Sequence, residues 1–416
     1  MVVKKIKIEH LDRKGRGVGY VDGRKVAIYF TVPGDIVKAK IFKRSARLIE
    51  ILEPSPLRVE PRCEYFGKCG GCKWQNIRYS EQLKIKQNVI NSLFGHSQKI
   101  LPSDEFRYRN RMDFIFWDDE EKKLGLREPE RYDKVVDIDR CLLISKECNH
   151  LLREIKGFVR EKKISIYDFK KREGLLRYLV IREGKFTNER MAILLTSMRE
   201  FNEVRELELD CNIVWSRTST LSDVSYGEEY FAIRGKDYIR EKLLDFYFRI
   251  TPNTFFQTNS KQAEKLCKIV LDFSELSGNE RVMDLYCGVG TFGIVLAQHA
   301  EYVVGIESSK EAIKNARINA KENGIENIEF YASKVEKMGY READVIIIDP
   351  PRSGLHPKAI RVIKRISPKK IIYVSCNPRT QKRDIEALNY KVEEVKPIDM
   401  FPHTPHIENV VLLVRG

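Results

Sequence analysis

A cysteine at the end of an apolar run is the first group in this sequence that could do chemistry. Ile371 to Val374 are four β-prone apolar residues, Cys376 follows close behind them, and Asn377-Pro378 then breaks the strand. Ligands bind at the carboxyl ends of the strands in an open α/β sheet, so a thiol there is placed to react. The alternative is that Cys376 is a small buried apolar side chain, as many free cysteines are.

Two carboxylates are predicted to reach the same edge of the sheet. The predicted strand Asp344 to Ile348 ends in Asp349, and Pro350 fixes the following loop so that the carboxylate is aimed into the cleft. Glu408 opens a strongly β-prone run near the C-terminus. The thiol and both carboxylates therefore form a candidate catalytic group at the strand ends of one sheet.

A nucleoside-binding pattern precedes these groups. A predicted strand runs through Asp284 into a turn that contains Gly288 and Gly290. The next predicted strand, 302 to 306, ends at Glu307, which lies 23 positions after Asp284. A doubly wound sheet places an acidic residue about there to bind a ribose. Because the DxxCGxG pattern lacks the phosphate grip of GxGxxG, it favours S-adenosylmethionine over NAD.

Three cysteines within ten residues form a second candidate site. Cys63, Cys69 and Cys72 are separated by five and two residues, and the glycines among them let the backbone wrap tightly. A tetrahedral or cuboidal centre needs a fourth ligand, for which Cys141 is the first choice and Cys148 the second. Zinc and iron-sulfur clusters both take four thiolates, and the spacing does not separate them.

Length and charge limit the class of protein. A chain of 416 residues is too long for one typical core and predicts two or three domains. Its formal charge of +15 predicts a polyanionic partner, nucleic acid rather than a membrane surface. No apolar run reaches membrane-spanning length and no signal-peptide block starts the sequence, so we expect no membrane partner and a cytoplasmic location.

The first 54 residues are typical of a small basic β-barrel. Short β-type runs at 2–8, 25–30, 35–42 and 46–52 alternate with glycine-rich turns. The segment carries 13 Lys and Arg against 6 Asp and Glu, a net charge of +7 that would neutralise phosphates. It resembles a TRAM domain, a module attached to several RNA-modifying enzymes. A solvated basic surface without a partner is the alternative.

Two features follow between this module and the catalytic third of the chain. Apolar spacing predicts an amphipathic helix over residues 79–94. Arg107, Arg109 and Arg111 alternate, so on a strand they would line one face as a phosphate-binding stripe. An ordinary charged strand face is the alternative interpretation.

Five ordered motifs give the chain a close resemblance to the RNA 5-methyluridine methyltransferase family. They are FFQTN at 255–259, DLYCGVGTF at 284–292, DPPRSG at 349–354, SCNP at 375–378 and FPHTPHIE at 401–408. Together with the cysteine arrangement and the TRAM-like start, the resemblance covers essentially the whole chain. It points to the iron-sulfur branch of that family.

The resemblance implies roles for individual residues. It implies a nucleophile at Cys376, a base at Glu408 and S-adenosylmethionine as the cofactor. The implied ligands of a 4Fe-4S cluster are Cys63, Cys69, Cys72 and Cys141. The implied cofactor-binding residues are Gln257, Tyr286, Gly288, Thr291, Glu307 and Asp349. Relatives carry a different polar residue at the position of Thr291, and His403 and His406 are left out of the catalytic set.

The resemblance also implies an α/β architecture in three domains. Residues 1–54 would form the TRAM-like barrel, which binds RNA, and 55–250 a mixed α/β domain with the iron-sulfur loop. Residues 251–416 would form a Rossmann-like methyltransferase domain. The helix near 79–94 would pack on this catalytic domain although it precedes the central one. We expect the chain to act as a monomer.

The expected reaction explains why these groups occur together. Carbon 5 of uracil is a poor nucleophile, but addition of the Cys376 thiolate to carbon 6 makes an enolate whose carbon 5 attacks a methyl sulfonium. A base must then remove the carbon 5 proton, and Glu408 is the candidate. The target base must leave its stack to reach Cys376, so the TRAM-like module and the central domain are expected to hold an RNA loop.

Two rival functions differ in chemistry. A cytosine-5 methyltransferase also uses a cysteine, and its DNA-acting members carry an ENV tripeptide like residues 408–410, but their cysteine usually follows proline whereas Ser375 precedes this one. A noncatalytic iron-sulfur protein that binds RNA or senses redox state would not need Cys376. Within the family, the composition favours tRNA, at the T-loop uridine 54, over large-subunit rRNA.

Overall fold

The computed structural model describes residues 2–42, 46–339 and 342–416. Two small antiparallel sheets come first along the chain, in the strand orders β1-β5-β6 and β2-β3-β4. Their strands are β1 Val2–Lys7, β2 His10–Leu11, β3 Gly17–Val21, β4 Arg24–Ile28, β5 Ile36–Ile41 and β6 Ala46–Glu53. A shared apolar core that includes Ile6, Ile8, Ile28 and Val37 holds the two sheets together.

The sequence predicted four of these six strands, and β2 and β3 were missed. Gly17 and Gly19 of β3 were interpreted as turn residues, but they lie inside a strand, where other segments of the chain approach closely. A Cβ on Gly17 would come within 2.1 Å of Thr31 Oγ1, and one on Gly19 within 2.3 Å of the Lys7 carbonyl oxygen. Glycine is therefore required here by close packing inside a strand.

Helix α1 spans Tyr79–Phe94, as the apolar spacing predicted, and ends at Gly95, whose φ is +77°. Its buried residues are Gln82, Lys86 and Ile90. Ile90 belongs to the apolar core beneath the C-terminal sheet, so this helix packs on the last third of the chain. Two of its buried side chains, Gln82 and Lys86, are polar, which is unusual for a packed helix face.

A seven-stranded sheet in the order β13-β12-β11-β10-β7-β8-β9 occupies the middle of the chain. Its strands are β7 Arg111–Asp118, β8 Lys122–Arg127, β9 Val135–Asp137, β10 Leu176–Glu183, β11 Arg190–Thr196, β12 Asn212–Arg217 and β13 Glu229–Arg234. Helix α2, Lys146–Glu161, packs on this sheet, and a 3₁₀ helix spans Asn202–Glu206. A separate hairpin, β14 Ile239–Leu243 and β15 Phe246–Ile250, leads to the last sheet.

The second seven-stranded sheet has the order β18-β17-β16-β19-β20-β22-β21. Its strands are β16 Arg281–Leu285, β17 Tyr302–Glu307, β18 Ile328–Ala332, β19 Val345–Ile348, β20 Lys370–Ser375, β21 Lys391–Ile398 and β22 Glu408–Val414. The helices are α3 Ser260–Ser274, α4 Thr291–Ala297, α5 Lys310–Glu322, α6 Pro357–Ile366 and α7 Pro378–Leu388; a 3₁₀ helix spans Val335–Lys337.

Strand direction in this sheet decides which residues meet. Strands β16 to β20 are parallel, whereas β22 runs antiparallel to β20 and pairs Asn409 with Ser375. The first residue of β22 therefore lies at the edge where the parallel strands end. This is the edge at which doubly wound sheets bind ligands. Among the described residues, no helix is both long and apolar enough to cross a membrane.

Candidate active site

The carboxyl edge of the C-terminal sheet brings three predicted residues together. Cys376 directly follows β20 and precedes Pro378, which starts α7. Glu408 is the first residue of β22, one position before the residue paired with Ser375. Asp349 directly follows the neighbouring strand β19. Glu408 is buried, while the Cys376 side chain is only partly buried.

The electrostatics of this group favour its protonated forms in the free protein. Burial raises the pKa of Cys376 to about 12, and the carboxylates of Glu408 and Asp349 add to this effect. Burial and Asp349 raise the pKa of Glu408 well above its usual value. Burial and Asp284 raise the pKa of Asp349 to about 7. Three acidic groups that share one site cannot all be charged at once.

Arg352 is the cation that opposes these shifts, and the sequence did not predict this role. Its guanidinium lowers the pKa of both Cys376 and Glu408. Arg352 Nη2 lies 3.3 Å from Nδ1 of His406, and Asn377 Nδ2 donates to the Arg352 carbonyl oxygen over 3.0 Å. The sequence signal was available, because Arg352 directly follows the Asp-Pro-Pro motif.

The nucleoside-binding pattern forms the adjacent part of the same edge. Asp284 and Tyr286 lie at the carboxyl end of β16, and Gly290 caps the start of α4. Tyr286 and Gly290 have φ values of +64° and +84°. The turn thus needs left-handed backbone, which glycine adopts at no steric cost. Glu307 ends β17, and Thr291 is the first residue of α4.

Two observations at this turn fit a bound nucleoside cofactor. Asp284 Oδ2 accepts from the Gly293 backbone N–H over 2.9 Å, while its Oδ1 is buried without a hydrogen-bond partner. A Cβ placed on Gly288 would meet no atom within 4 Å, so there is open space beside the turn. Gln257 contacts the catalytic group, because its Nε2 donates to Asp349 Oδ2 over 3.3 Å.

Comparison with known proteins decides the family. The family model described as tRNA (uracil-5-)-methyltransferase matches residues 78–416, and the TRAM domain model matches residues 3–47. The chain belongs to the tRNA (uracil-5-)-methyltransferase family. This confirms the expected enzyme class, an RNA uracil-C5 methyltransferase, and the fold expected from the sequence.

Relatives of this family match along nearly the full length. A tRNA (uracil(54)-C(5))-methyltransferase of Pyrococcus horikoshii is 44% identical, covering 94% of this chain and 95% of the relative. An uncharacterized RNA methyltransferase of Nanoarchaeum equitans is also 44% identical, covering 99% and 93%. The crystal structure of the Pyrococcus abyssi tRNA (uracil-54, C5)-methyltransferase with S-adenosyl-L-homocysteine covers 99% of both chains, at 38% identity and a TM-score of 0.86.

A wide groove gives access to Cys376 in this family member. Its volume is about 790 Å³, and it runs between the N-terminal sheets, α1 and the start of α7. The exposed basic side chains along it come from three parts of the chain: His10, Arg13, Lys14, Lys25, Arg352 and Arg379. An anionic ligand that fills the groove would therefore contact the TRAM domain and the catalytic sheet together.

The four cysteines predicted as metal ligands line a single cavity. Cys63, Cys69, Cys72 and Cys141 all border it, and Cys148, the second choice for the fourth ligand, lies outside it on α2. Burial raises the pKa of Cys69 and of Cys72 to about 12. Among the described residues, no three His, Cys, Asp or Glu side chains are grouped closely enough to hold a metal ion.

The predicted arginine stripe is wrong. Strand β7 begins only at Arg111, and Arg107 has a φ of +55°, so the three arginines do not share a strand face. Arg111 is paired with Asp113 at 2.8 Å, and the Nε of Arg109 is buried. The alternation in the sequence was real, but left-handed backbone at Arg107 interrupts the strand period of two.

Proposed function

We propose that this chain transfers a methyl group from S-adenosylmethionine to carbon 5 of a tRNA uridine, at position 54 in the T loop. The observation that carries the proposal is that a thiol, a buried carboxylate and a nucleoside-binding turn lie along one sheet edge. The names of the Pyrococcus relatives support tRNA and position 54. The S-adenosyl-L-homocysteine bound to the Pyrococcus abyssi enzyme supports the cofactor.

The first step is addition of the Cys376 sulfur to carbon 6 of the uracil. The sulfur–carbon bond forms while the carbon 5–carbon 6 π electrons move into an enolate, which makes carbon 5 nucleophilic. Burial keeps the thiol protonated in the free protein, so its proton must pass to solvent in the groove that Cys376 borders before the sulfur adds. The Arg352 guanidinium stabilises the resulting thiolate, because an opposite charge favours the ionised form.

The bound cofactor supplies an electrophilic methyl group to carbon 5. Gln257, Tyr286, Gly288 and Thr291 are proposed to hold it, with Asp349 beside Gln257. Glu307, at the end of β17, is proposed to accept hydrogen bonds from the ribose hydroxyls. The buried, unpartnered oxygen of Asp284 and the open space at Gly288 support a ligand at this turn.

The last step removes the proton from carbon 5. Glu408 must first lose its own proton to solvent; its carboxylate then accepts the carbon 5 proton, the ring double bond re-forms, and the Cys376 thiolate leaves carbon 6. Burial and Asp349 raise the pKa of Glu408, so its ionised form is a stronger base than an ordinary carboxylate. Neighbouring carboxylates thus serve the elimination even though they oppose formation of the first thiolate.

We infer that Cys63, Cys69, Cys72 and Cys141 hold a 4Fe-4S cluster. Four thiols around one cavity suit both zinc and a cluster. The resemblance to the iron-sulfur branch of the family favours the cluster over zinc. The cluster would cross-link the loop 63–72 to Cys141 and so rigidify this part of the chain.

We also infer how the RNA and the domains are arranged. The basic groove leads an RNA backbone from the TRAM domain to Cys376, and the target base leaves its stack to enter the site. The proposed domains remain 1–54, 55–250 and 251–416. A monomer suffices, because one chain supplies the thiol, the base and the cofactor turn.

A covalent trapping experiment tests this function. A T-arm transcript with 5-fluorouridine at position 54 is incubated with the protein and S-adenosylmethionine, since fluorine cannot leave as a proton. We expect a protein–RNA conjugate attached through Cys376, and none with a transcript that has cytidine at position 54. Conjugation to an rRNA fragment but not to the T arm would overturn the tRNA assignment. Absence of any conjugate would overturn the covalent mechanism.

A further inference from the structure

The loop before Glu408 is held by an element that is distant in sequence. We call residues 399–407, which connect β21 to β22, the base loop. The Lys73 and Trp74 backbone N–H groups both donate to the His403 carbonyl oxygen, over 2.8 Å and 3.0 Å. These two residues directly follow Cys72 of the four-cysteine cavity. The His403 carbonyl group therefore joins the base loop to the segment that directly follows Cys72.

Gln82 on helix α1 reinforces this contact from the other side. Its Oε1 accepts from the His403 backbone N–H over 2.9 Å, and its Nε2 lies 3.1 Å from His403 Nδ1. The same Nε2 donates to the carbonyl oxygens of Trp74 and Ile77 over 2.9 Å and 2.8 Å. The Gln82 side chain is completely buried. The Gln82 amide thus holds the segment 74–77, just before α1, and the base loop together.

Lys86, one helical turn further along, holds the start of the base loop. Its Nζ lies 2.6 Å from Asp399 Oδ1, and both side chains are 0% exposed. The same Nζ donates to the Phe401 carbonyl oxygen over 3.1 Å, and the Tyr79 hydroxyl donates to Asp399 Oδ2 over 2.8 Å. Buried charges persist only where paired and hydrogen-bonded, so this pair fixes α1 to the loop in one register.

The position of Glu408 depends on these contacts. Burial, Asp349 and Arg352 influence its carboxyl group, and among the described residues none of these influences is a hydrogen bond that fixes the side chain. The direction of the side chain is therefore set by its backbone. The strands β20 and β21 hold that backbone on one side, and the base loop holds it on the other. Cys376, in contrast, directly follows β20, and the base loop approaches it through the contact of His406 with Arg352.

We propose that Gln82 and Lys86 are positioning residues for the step that releases the methylated RNA. They hold the base loop so that Glu408 reaches the carbon 5 proton of the adduct. The inference rests on the proposed function. Because Glu408 directly follows the loop whereas Cys376 directly follows β20, loosening the loop slows proton removal more than thiol addition and methyl transfer. A methylated protein–RNA adduct then accumulates, which a general loss of folding does not produce.

The test uses an unmodified uridine T-arm transcript, S-adenosylmethionine and full-length protein that retains its metal. The variants are Gln82→Met, which removes the amide, and the double variant Lys86→Met/Asp399→Leu, which replaces the ion pair by apolar side chains of similar size. The matched control is Lys84→Met on the same helix, where Lys84 is exposed and paired only with Glu81 in the described contacts. Denaturing gels measure the adduct, and nucleoside mass spectrometry measures released 5-methyluridine.

We expect product release to fall at least about tenfold in both test variants, with most of the enzyme in adduct at steady state. The KM values for RNA and cofactor should stay within about threefold, since neither ligand is bound by these residues. The control should match the wild type and show no adduct. Slower turnover without adduct, or unchanged turnover, would overturn the inference. A wild-type protein that forms no 5-methyluridine would instead overturn the proposed function.

Discussion

Two regions of this molecule collect cysteine thiols, and they differ in what surrounds the sulfur. In both, burial raises the thiol pKa to about 12, as for Cys376 and Cys72. Cys376 has carboxylates and the Arg352 guanidinium as neighbours and borders a groove of about 790 Å³. Cys72 borders a cavity lined mainly by apolar side chains and the other three cysteines.

The difference shows that burial alone does not make a thiol a nucleophile or a ligand. A reacting thiol needs access for the substrate and a cation that favours the thiolate. A ligand thiol needs partner thiols at a matching distance and exclusion of water. In the proposed function the same residue type serves two chemistries, and the neighbours of each sulfur decide which one. Four predictions test this distinction.

Removal of the Cys376 sulfur is expected to have the largest effect. Cys376→Ala should lower formation of 5-methyluridine by at least about a thousandfold, because no other group can add to carbon 6. RNA affinity should change by less than about threefold. Cys267→Ala, at a buried thiol on α3, is the control and should keep its activity. Mass spectrometry of digested tRNA gives the rate, and substantial activity in Cys376→Ala would contradict the nucleophile assignment.

Removal of one sulfur from the four-cysteine cavity should abolish the proposed metal binding. Cys72→Ser should lose at least about 80% of the bound iron and sulfide of anaerobically purified protein, because the proposed cluster would lose one of its four thiolate ligands. Cys148→Ser, at a buried thiol outside the cavity, should retain both. Chemical iron and sulfide assays with the visible absorbance spectrum measure the difference. Equal metal loss in the two variants, or zinc in the wild type, would count against the proposed cluster.

The cation beside Cys376 should control how easily its proton leaves. Because the thiol pKa is about 12, alkylation of Cys376 by iodoacetamide should accelerate about tenfold per pH unit up to about pH 9. Arg352→Met raises that pKa further and should slow alkylation at pH 8 about tenfold, while Arg352→Lys should restore part of the rate. Peptide mass spectrometry follows the modification. A rate that levels off near pH 7 would mean that the thiol is already ionised.

Charges on the groove should have the smallest effect and should act on RNA only. Arg13→Ala/Lys25→Ala should weaken T-arm binding about tenfold and reduce the salt dependence of log K by about two, one per lost phosphate contact. Lys38→Ala/Lys40→Ala removes the same charge from exposed positions on β5, outside the groove, and should change binding less. Filter binding at several salt concentrations gives both slopes. If the two double variants show the same salt dependence, the RNA does not bind along the groove.

Local patterns in the sequence predicted much of this architecture. The apolar spacing predicted α1 with its observed bounds, and β-prone runs predicted the strands that deliver Cys376, Asp349 and Glu408. The motif order led to the correct family. These predictions succeeded because periodicity and turn residues act over a few positions. The division at residues 54 and 250 stays a prediction.

The failures have a common physical cause. Strand β3 was missed because its glycines were attributed to turns. They are required because Thr31 and Lys7 lie too close to leave room for a side chain. The arginine stripe failed because left-handed backbone at Arg107 breaks the alternation. The contacts of Gln82 with His403, 321 positions away, left no local pattern. Each depends on packing between segments distant in the chain.

By itself, the sequence determined the reactive groups: a thiol and carboxylates at strand ends, a glycine turn for a nucleoside, and a set of clustered cysteines. Only the tertiary structure decided which of these groups meet. It set Cys141 rather than Cys148 at the cavity, Arg352 beside the nucleophile, and α1 against the base loop. The physical reason is that residue type and periodicity are local properties, whereas burial and the charges around a group arise from long-range packing.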